Sequence, residues 1–100
     1  MIEMKFEWDD VKAGSNFKAH GVSFELAKTV FDHAFAIDRI DDRKDYGEDR
    51  FVIIGMAKGQ VLLFVAYAER STRTRIISAR RVTKREEDFY FRQNASTNVH

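Results

Sequence analysis

Val61-Leu62-Leu63-Phe64-Val65-Ala66-Tyr67-Ala68 is apolar at every position. A run of that kind reads as a central β-strand covered on both faces, because a half-exposed strand would alternate. Phe51 to Ala57, just before it, is apolar and rich in β-branched residues, and Lys58-Gly59 supplies a turn between the two. Arg75 to Val82 returns as a third strand. Three neighbours joined by short connections predict an antiparallel meander.

Working outward, Phe35 to Ile40 alternates weakly and is read as one more strand. Asp41 to Asp49 is a charged, glycine-containing turn region. At the N-terminus Met4, Phe6 and Trp8 alternate with Lys5 and Glu7, which predicts a short strand. Asp9 and Asp10 suit a helix start, where carboxylates accept from free N–H groups. Val11, Ala13 and Phe17 are expected to form that helix's buried face, and Gly21 to end it. A second helix fits Ser23 to Asp32, capped by Ser23, with Phe24, Ala27, Val30 and Phe31 inward and Lys28 reaching water. Thr83-Lys84-Arg85-Glu86 spells a capping box and opens a C-terminal helix. Gln93 to His100 is polar and is expected to fray. The predicted class is α+β: a compact single domain over 1–100, mainly antiparallel sheet, two N-terminal helices and one C-terminal helix.

One hundred residues support one core of modest depth. With 44% hydrophobic and 33% charged residues the chain is of globular composition. No cysteine is present, which excludes disulfides, thiolate nucleophiles and cysteine-bound zinc. His20 and His33 lack close metal-ligand spacing, and no glycine loop cradles a phosphate, so neither a metal site nor another cofactor is expected. The start of the chain lacks a signal-like apolar run, and 61–68 is too short to span a bilayer. A soluble cytoplasmic protein, away from membranes, is expected.

Charge is distributed unevenly. From Glu69 onward there are eight Lys/Arg and four Asp/Glu, against nine and twelve before it, within a net charge of +1. Cations on a sheet edge can grip a phosphate chain, which points to RNA. Arg70 follows the central strand, and Arg70 and Arg75 are expected to be neighbours. In a regular strand Arg75, Ile77, Ala79 and Arg81 share one face, and Ile76, Ser78, Arg80 and Val82 the other. Arg80 and Arg81 therefore point apart. RNA cleavage without metal needs a base for the 2′-hydroxyl, a cation for the phosphorane charge and an acid for the 5′-oxygen. Arginine meets the second need through its two-pronged donor geometry. His20, Lys12, Glu86, Glu87 and Tyr90 are candidates for base or acid, and Tyr90 or Tyr67 for stacking on a splayed base. His33 carries no partner signal. The same charge pattern also fits a non-catalytic nucleic-acid-binding module, or an interaction protein whose basic face receives an acidic partner.

Phe6-Glu7-Trp8-Asp9, Lys12, Asn16, His20-Gly21-Val22-Ser23-Phe24-Glu25 and Ala27, then Arg50, Gly55, the 61–67 strand, Arg70, Arg75 to Arg81, Glu86 and Tyr90 form a long spaced pattern. It resembles the BrnT toxins of bacterial type II toxin–antitoxin modules, from about Phe6 to Tyr90. The resemblance implies a RelE-like fold and a ribonuclease that blocks translation. It implies as partner a BrnA-like ribbon-helix-helix antitoxin, through which the complex reaches operator DNA, and a toxin dimer within a heterotetramer. It implies catalytic roles for Arg70, Arg80, His20, Lys12 and Glu86, and RNA contacts from Arg75, Arg81 and Tyr90. Ala19, Asp10 and Val82 stand where the family often has lysine, proline and alanine; the first weakens a role for a lysine beside His20.

Overall fold

The computed structural model describes residues 4–98. The elements run β1 (Lys5–Glu7), α1 (Asp10–His20), α2 (Phe24–Ala27), a 3-10 helix (Lys28–Asp32), β2 (Ile37–Ile40), β3 (Arg50–Ala57), β4 (Val61–Arg70), β5 (Arg73–Arg81) and α3 (Lys84–Asn98). The five strands form one sheet in the order β1-β5-β4-β3-β2, antiparallel except where β1 lies parallel to β5. β4 sits at the centre and buries Leu62 to Ala68, as its apolar run requires.

The sheet has two differently covered faces. On one, Val22, Phe24, Ala27 and Val30 pack against Ile53, Leu63, Val65, Tyr67, Ile76 and Ala79. On the other, Tyr90 and Phe89 of α3 pack against Val52, Ile54, Leu62 and Phe64. Gly55 is required at its place: a Cβ there would stand 2.8 Å from that of Ala36 and 2.9 Å from Val30 Cγ1.

Several sequence expectations change. In α1, Val11 is 79% exposed and Phe17 55%, while Asn16 is the buried residue. Asn16 donates to the carbonyls of Val22 (3.1 Å) and Ala79 (2.8 Å) and accepts from Ala79 N–H (3.1 Å). A polar side chain that satisfies three buried backbone groups sets the rotation of the helix more firmly than two apolar residues that can stay wet. The second helix keeps its Ser23 cap (Leu26 N–H to Ser23 Oγ, 3.0 Å) but is one α-turn followed by the 3-10 helix. β5 begins at Arg73, so Arg70 faces Arg73 across the turn, and Arg75 faces Ala68. α3 runs to Asn98, and 99–100 lie outside the described residues.

The most consequential change is a β-bulge. Ser78 opposes Ala66 and Ile76 opposes Tyr67, leaving Ile77 as an extra residue in β5. The alternation inverts there. Ile76 and Ala79, expected on opposite faces, both enter the α1–α2 core. Arg75 and Arg80 are thereby brought to the same face, the one that carries α3.

Candidate functional site

Residues directly opposite in paired strands point to the same side of the sheet. The register can therefore be followed outward from Phe64, which lies on the α3 face. Arg80 opposes Phe64, Arg75 and Arg50 both oppose Ala68, Arg70 opposes Arg73, Lys5 opposes Arg73, and Arg39 opposes Val52. Six strand arginines and one lysine thus share the α3 face. Arg81 opposes Leu63, so it belongs to the other side, and it is exposed at the end of its strand.

α3 covers part of this face and leaves a hollow of about 370 Å³ between itself, β2 and the segment after β2. The wall carries Arg39, Arg43, Arg85 and Arg92, with Phe64 and Phe89 beside them, and Asp41, Asp42 and Glu86 as the carboxylates. Arg85, Phe89 and Arg92 arrive together because they are spaced one helical stripe apart on α3. Thr83 and Glu86 form the expected reciprocal cap: Glu86 N–H donates to Thr83 Oγ1 (3.2 Å) and Thr83 N–H to Glu86 Oε1 (2.9 Å).

Two guanidinium groups are held over the Phe64 ring, Arg80 at 4.1 Å and Arg43 at 5.3 Å from its centroid. Each is also locked by a carboxylate. Arg80 donates twice to Glu86, at 2.8 and 2.9 Å. The Arg43 side chain donates twice to Asp41, both at 2.8 Å, its backbone N–H donates once at 3.2 Å, and the Tyr46 hydroxyl donates to the same carboxyl. Hydrogen bonding from Arg43 draws the buried Asp41 carboxyl down to about 2, and hydrogen bonding from Arg80 holds that of Glu86 below the usual carboxylate range. Arg39 lies over the Phe89 ring at 5.3 Å. Among the described residues no carboxylate is within ion-pair distance of Arg39, Arg85 or Arg92, so the hollow presents three cations without a carboxylate partner.

The residues singled out from sequence do not form one cluster. Arg70 pairs with Glu48 (3.1 Å), Arg75 with Glu7 (3.2 Å) and Arg80 with Glu86. Arg70 lies six residues along β4 from the partner of Arg80, about 20 Å at roughly 3.3 Å per residue. Each is anchored on its own carboxylate, so as placed they do not converge on one point. Lys12 and His20 are exposed on α1, across the sheet from the hollow and two helical turns from each other. Tyr90 is not a stacking platform: it is 4% exposed and its hydroxyl lies 2.7 Å from Nε2 of His33, which does have a partner after all. Tyr67 is buried in the opposite core, its hydroxyl donating to Asp38 and its pKa raised, chiefly by burial. Glu87 pairs with Lys84 at 3.2 Å. Arg39, Arg43, Arg85 and Arg92 were not singled out. The signal that could have found three of them was the helical stripe of Arg85, Phe89 and Arg92 and the shared face of Ile37 and Arg39. Among the described residues no group of three His, Asp or Glu side chains is placed to hold a metal ion, and no helix is long and apolar enough to cross a membrane.

The family described as "Ribonuclease toxin, BrnT, of type II toxin-antitoxin system" matches residues 8–86, a stretch that includes most of the hollow and stops before Arg92. The 1.1 Å crystal structure of the Brucella abortus ribonuclease toxin BrnT has the same fold, with a TM-score of 0.61 at 22% identity over 82% of this chain and 100% of that one. No curated protein sequence matches the chain. A match across most of the chain, on a fold that gathers arginines along one sheet face, settles the assignment: the chain belongs to the BrnT family of ribonuclease toxins of type II toxin–antitoxin systems.

Proposed function

We propose that this toxin cleaves single-stranded RNA without a metal ion, with the scissile phosphate seated in the hollow between β2 and α3. The observation that carries the reading is the set of cations there without carboxylate partners, Arg39, Arg85 and Arg92, backed by Arg80 and Arg43 on Phe64. Guanidinium groups fixed before substrate arrives stabilise charge as it develops on phosphorus, without reorganising during the reaction.

In this reading the 2′-oxygen attacks the adjacent phosphorus and the bond to the 5′-oxygen breaks. The products are a 2′,3′-cyclic phosphate and a 5′-hydroxyl. Of the five proton-transfer candidates only Glu86 lines the hollow, so it takes the 2′-hydroxyl proton, and solvent returns one to the 5′-oxygen. Lys12 and His20, across the sheet, take no part. Because Arg80 keeps Glu86 ionised below the ordinary carboxylate range, cleavage should hold steady from neutral pH down to about 5. A fall centred near 6.5, the ordinary histidine value, would instead give the role to a histidine.

The test is incubation of the purified toxin with RNA in excess EDTA, followed by mapping of the ends. New 5′-hydroxyl ends are expected. Intact RNA with folded protein, or 5′-phosphate ends, would reject the mechanism, and salt-sensitive binding without breaks would favour a non-catalytic module. A type II toxin has an antitoxin partner; the resemblance supplies its class, a BrnA-like ribbon-helix-helix protein. It would neutralise the toxin by covering this face, and inhibition of translation would follow from RNA loss when it is released.

A further inference from the structure

Away from the hollow, at the far end of the same sheet face, one carboxylate sits between two arginines. Arg50 Nε donates to Glu48 Oε2 and Arg70 Nη2 to Glu48 Oε1, both at 3.1 Å. Arg50 is further fixed by lying 4.3 Å from the Tyr46 ring centroid. Arg73 and Lys5 continue the row on neighbouring strands and are exposed. Hydrogen bonding from Arg50, joined by the charge of Arg70, holds Glu48 below the usual carboxylate range.

A carboxylate in that clamp has a single negative charge and two acceptor oxygens. A phosphodiester group offers the same charge and the same pair of oxygens, and arginine binds both in the same two-pronged way. Glu48 lies on the exposed segment between β2 and β3, where a side chain can turn aside without disturbing the core. We infer that Arg50 and Arg70 form a second phosphate station for single-stranded RNA, and that Glu48 occupies it at rest as a stand-in for the phosphate. This rests on the ribonuclease reading and extends it: a strand cut in the hollow would run along β4 toward Arg70. About 20 Å of path at roughly 3.3 Å per residue corresponds to about six phosphates at the roughly 3.4 Å spacing of a stacked strand, and fewer in an extended one. Glu48 would then be a built-in competitor that lowers affinity for short or poorly placed strands.

The experiment measures binding of a fluorescent 2′-O-methyl RNA 12-mer, which cannot be cleaved by its own 2′-oxygen, as a function of salt. Glu48→Gln should tighten binding two- to fivefold, roughly the worth of an exposed ion pair. Arg70→Gln should weaken it and lower the salt slope by about 0.7, one phosphate contact on a single strand. In the Arg70→Gln background the Glu48→Gln gain should vanish. Glu25→Gln, an exposed carboxylate on α2 across the sheet, controls for net charge and should change affinity less. No gain from Glu48→Gln, an equal gain from Glu25→Gln, or a gain that survives loss of Arg70 would each overturn the station, as would absence of oligonucleotide binding. The matching all-RNA 12-mer, incubated with wild-type protein in EDTA, separates this from the nuclease reading. Uncut RNA alongside a Glu48→Gln gain removes the nuclease and keeps the station; cleavage without that gain does the reverse.

Discussion

The two faces of the sheet are built on the same five strands and are finished in opposite ways. On the α1–α2 side Leu63, Val65 and Ala79 are wholly buried, and the polar intruder, Asn16, has its groups matched by backbone. On the α3 side one helix covers the middle, and arginines extend beyond it, several of them held by carboxylates and others not. A closed face contributes stability through burial. The half-open face contributes through the core beneath α3, while its uncovered, charge-lined part contributes little to stability and is explained by what it can bind.

The strongest way to break this division is from the closed side. Leu63→Ala removes a fully buried side chain from the central strand and should cost about 3 kcal/mol of stability, read as the urea midpoint. RNA cleavage per folded molecule should stay within about twofold. A loss of cleavage in variant protein that remains folded would show that the two faces are not independent.

The open side should answer in reverse. Arg80→Ala takes the guanidinium off Phe64 and away from Glu86. Cleavage should fall by about 10²-fold, the scale for losing one preorganised donor to a developing oxyanion and worth about 2.7 kcal/mol. Stability should change by only about 1 kcal/mol, since the pair is partly exposed. A large stability loss with little change in cleavage would make Arg80 a structural tie.

How much of this was legible in the sequence follows the same boundary. β3 and β4 announced themselves because burial on both sides demands unbroken apolar runs, and β5 followed from them as the returning strand of the meander. The capping box placed α3 correctly because Thr83 and Glu86 act through local hydrogen bonds. The rotation of α1 was hidden, since pattern reading follows Val11 and Phe17 and gives no weight to an asparagine whose partners are sixty-three residues away at Ala79. The bulge at Ile77 was hidden too: nothing local marks the inserted residue, yet it decides on which face Arg75 and Arg80 meet. Arg39 and Arg43 lie in a weak edge strand and a mixed-charge turn, where composition cannot tell a solvated arginine from one that walls a hollow.

A smaller effect tests the wall contributed by the segment after β2. Asp41 is buried and its carboxyl is drawn down to about 2, against an ordinary value of about 3.9. A group with a depressed folded-state pKa contributes stability above its unfolded value and loses it as pH falls through the folded one. The window is therefore about pH 4 to pH 2, and the contribution is at most about 2.6 kcal/mol at roughly 1.4 kcal/mol per unit. Asp41→Asn should flatten the acid limb of stability against pH relative to wild type; identical limbs would place the acid sensitivity elsewhere.

The smallest effect concerns how α3 is fastened over the open face. Tyr90 joins His33 through a 2.7 Å hydrogen bond, and Asn94 adds a 3.3 Å bond to the carbonyl of Phe35. Both ties connect α3, which carries Arg85 and Arg92, to the chain entering β2, which carries Arg39. Tyr90→Phe deletes one hydroxyl and keeps the ring in its core position. His33 is partly exposed, so water can replace the lost partner, and the cost should be about 1 kcal/mol rather than that of a stranded buried group. Because the ring still packs on Leu62 and Phe64, α3 should stay docked and cleavage should drop no more than about threefold. The readouts are urea unfolding and RNA cleavage on the same preparation. A drop in cleavage approaching that of Arg80→Ala, with only about 1 kcal/mol lost in stability, would mean that the hydroxyl sets the width of the hollow, and that the open face depends on this one tie more than on apolar packing beneath the helix.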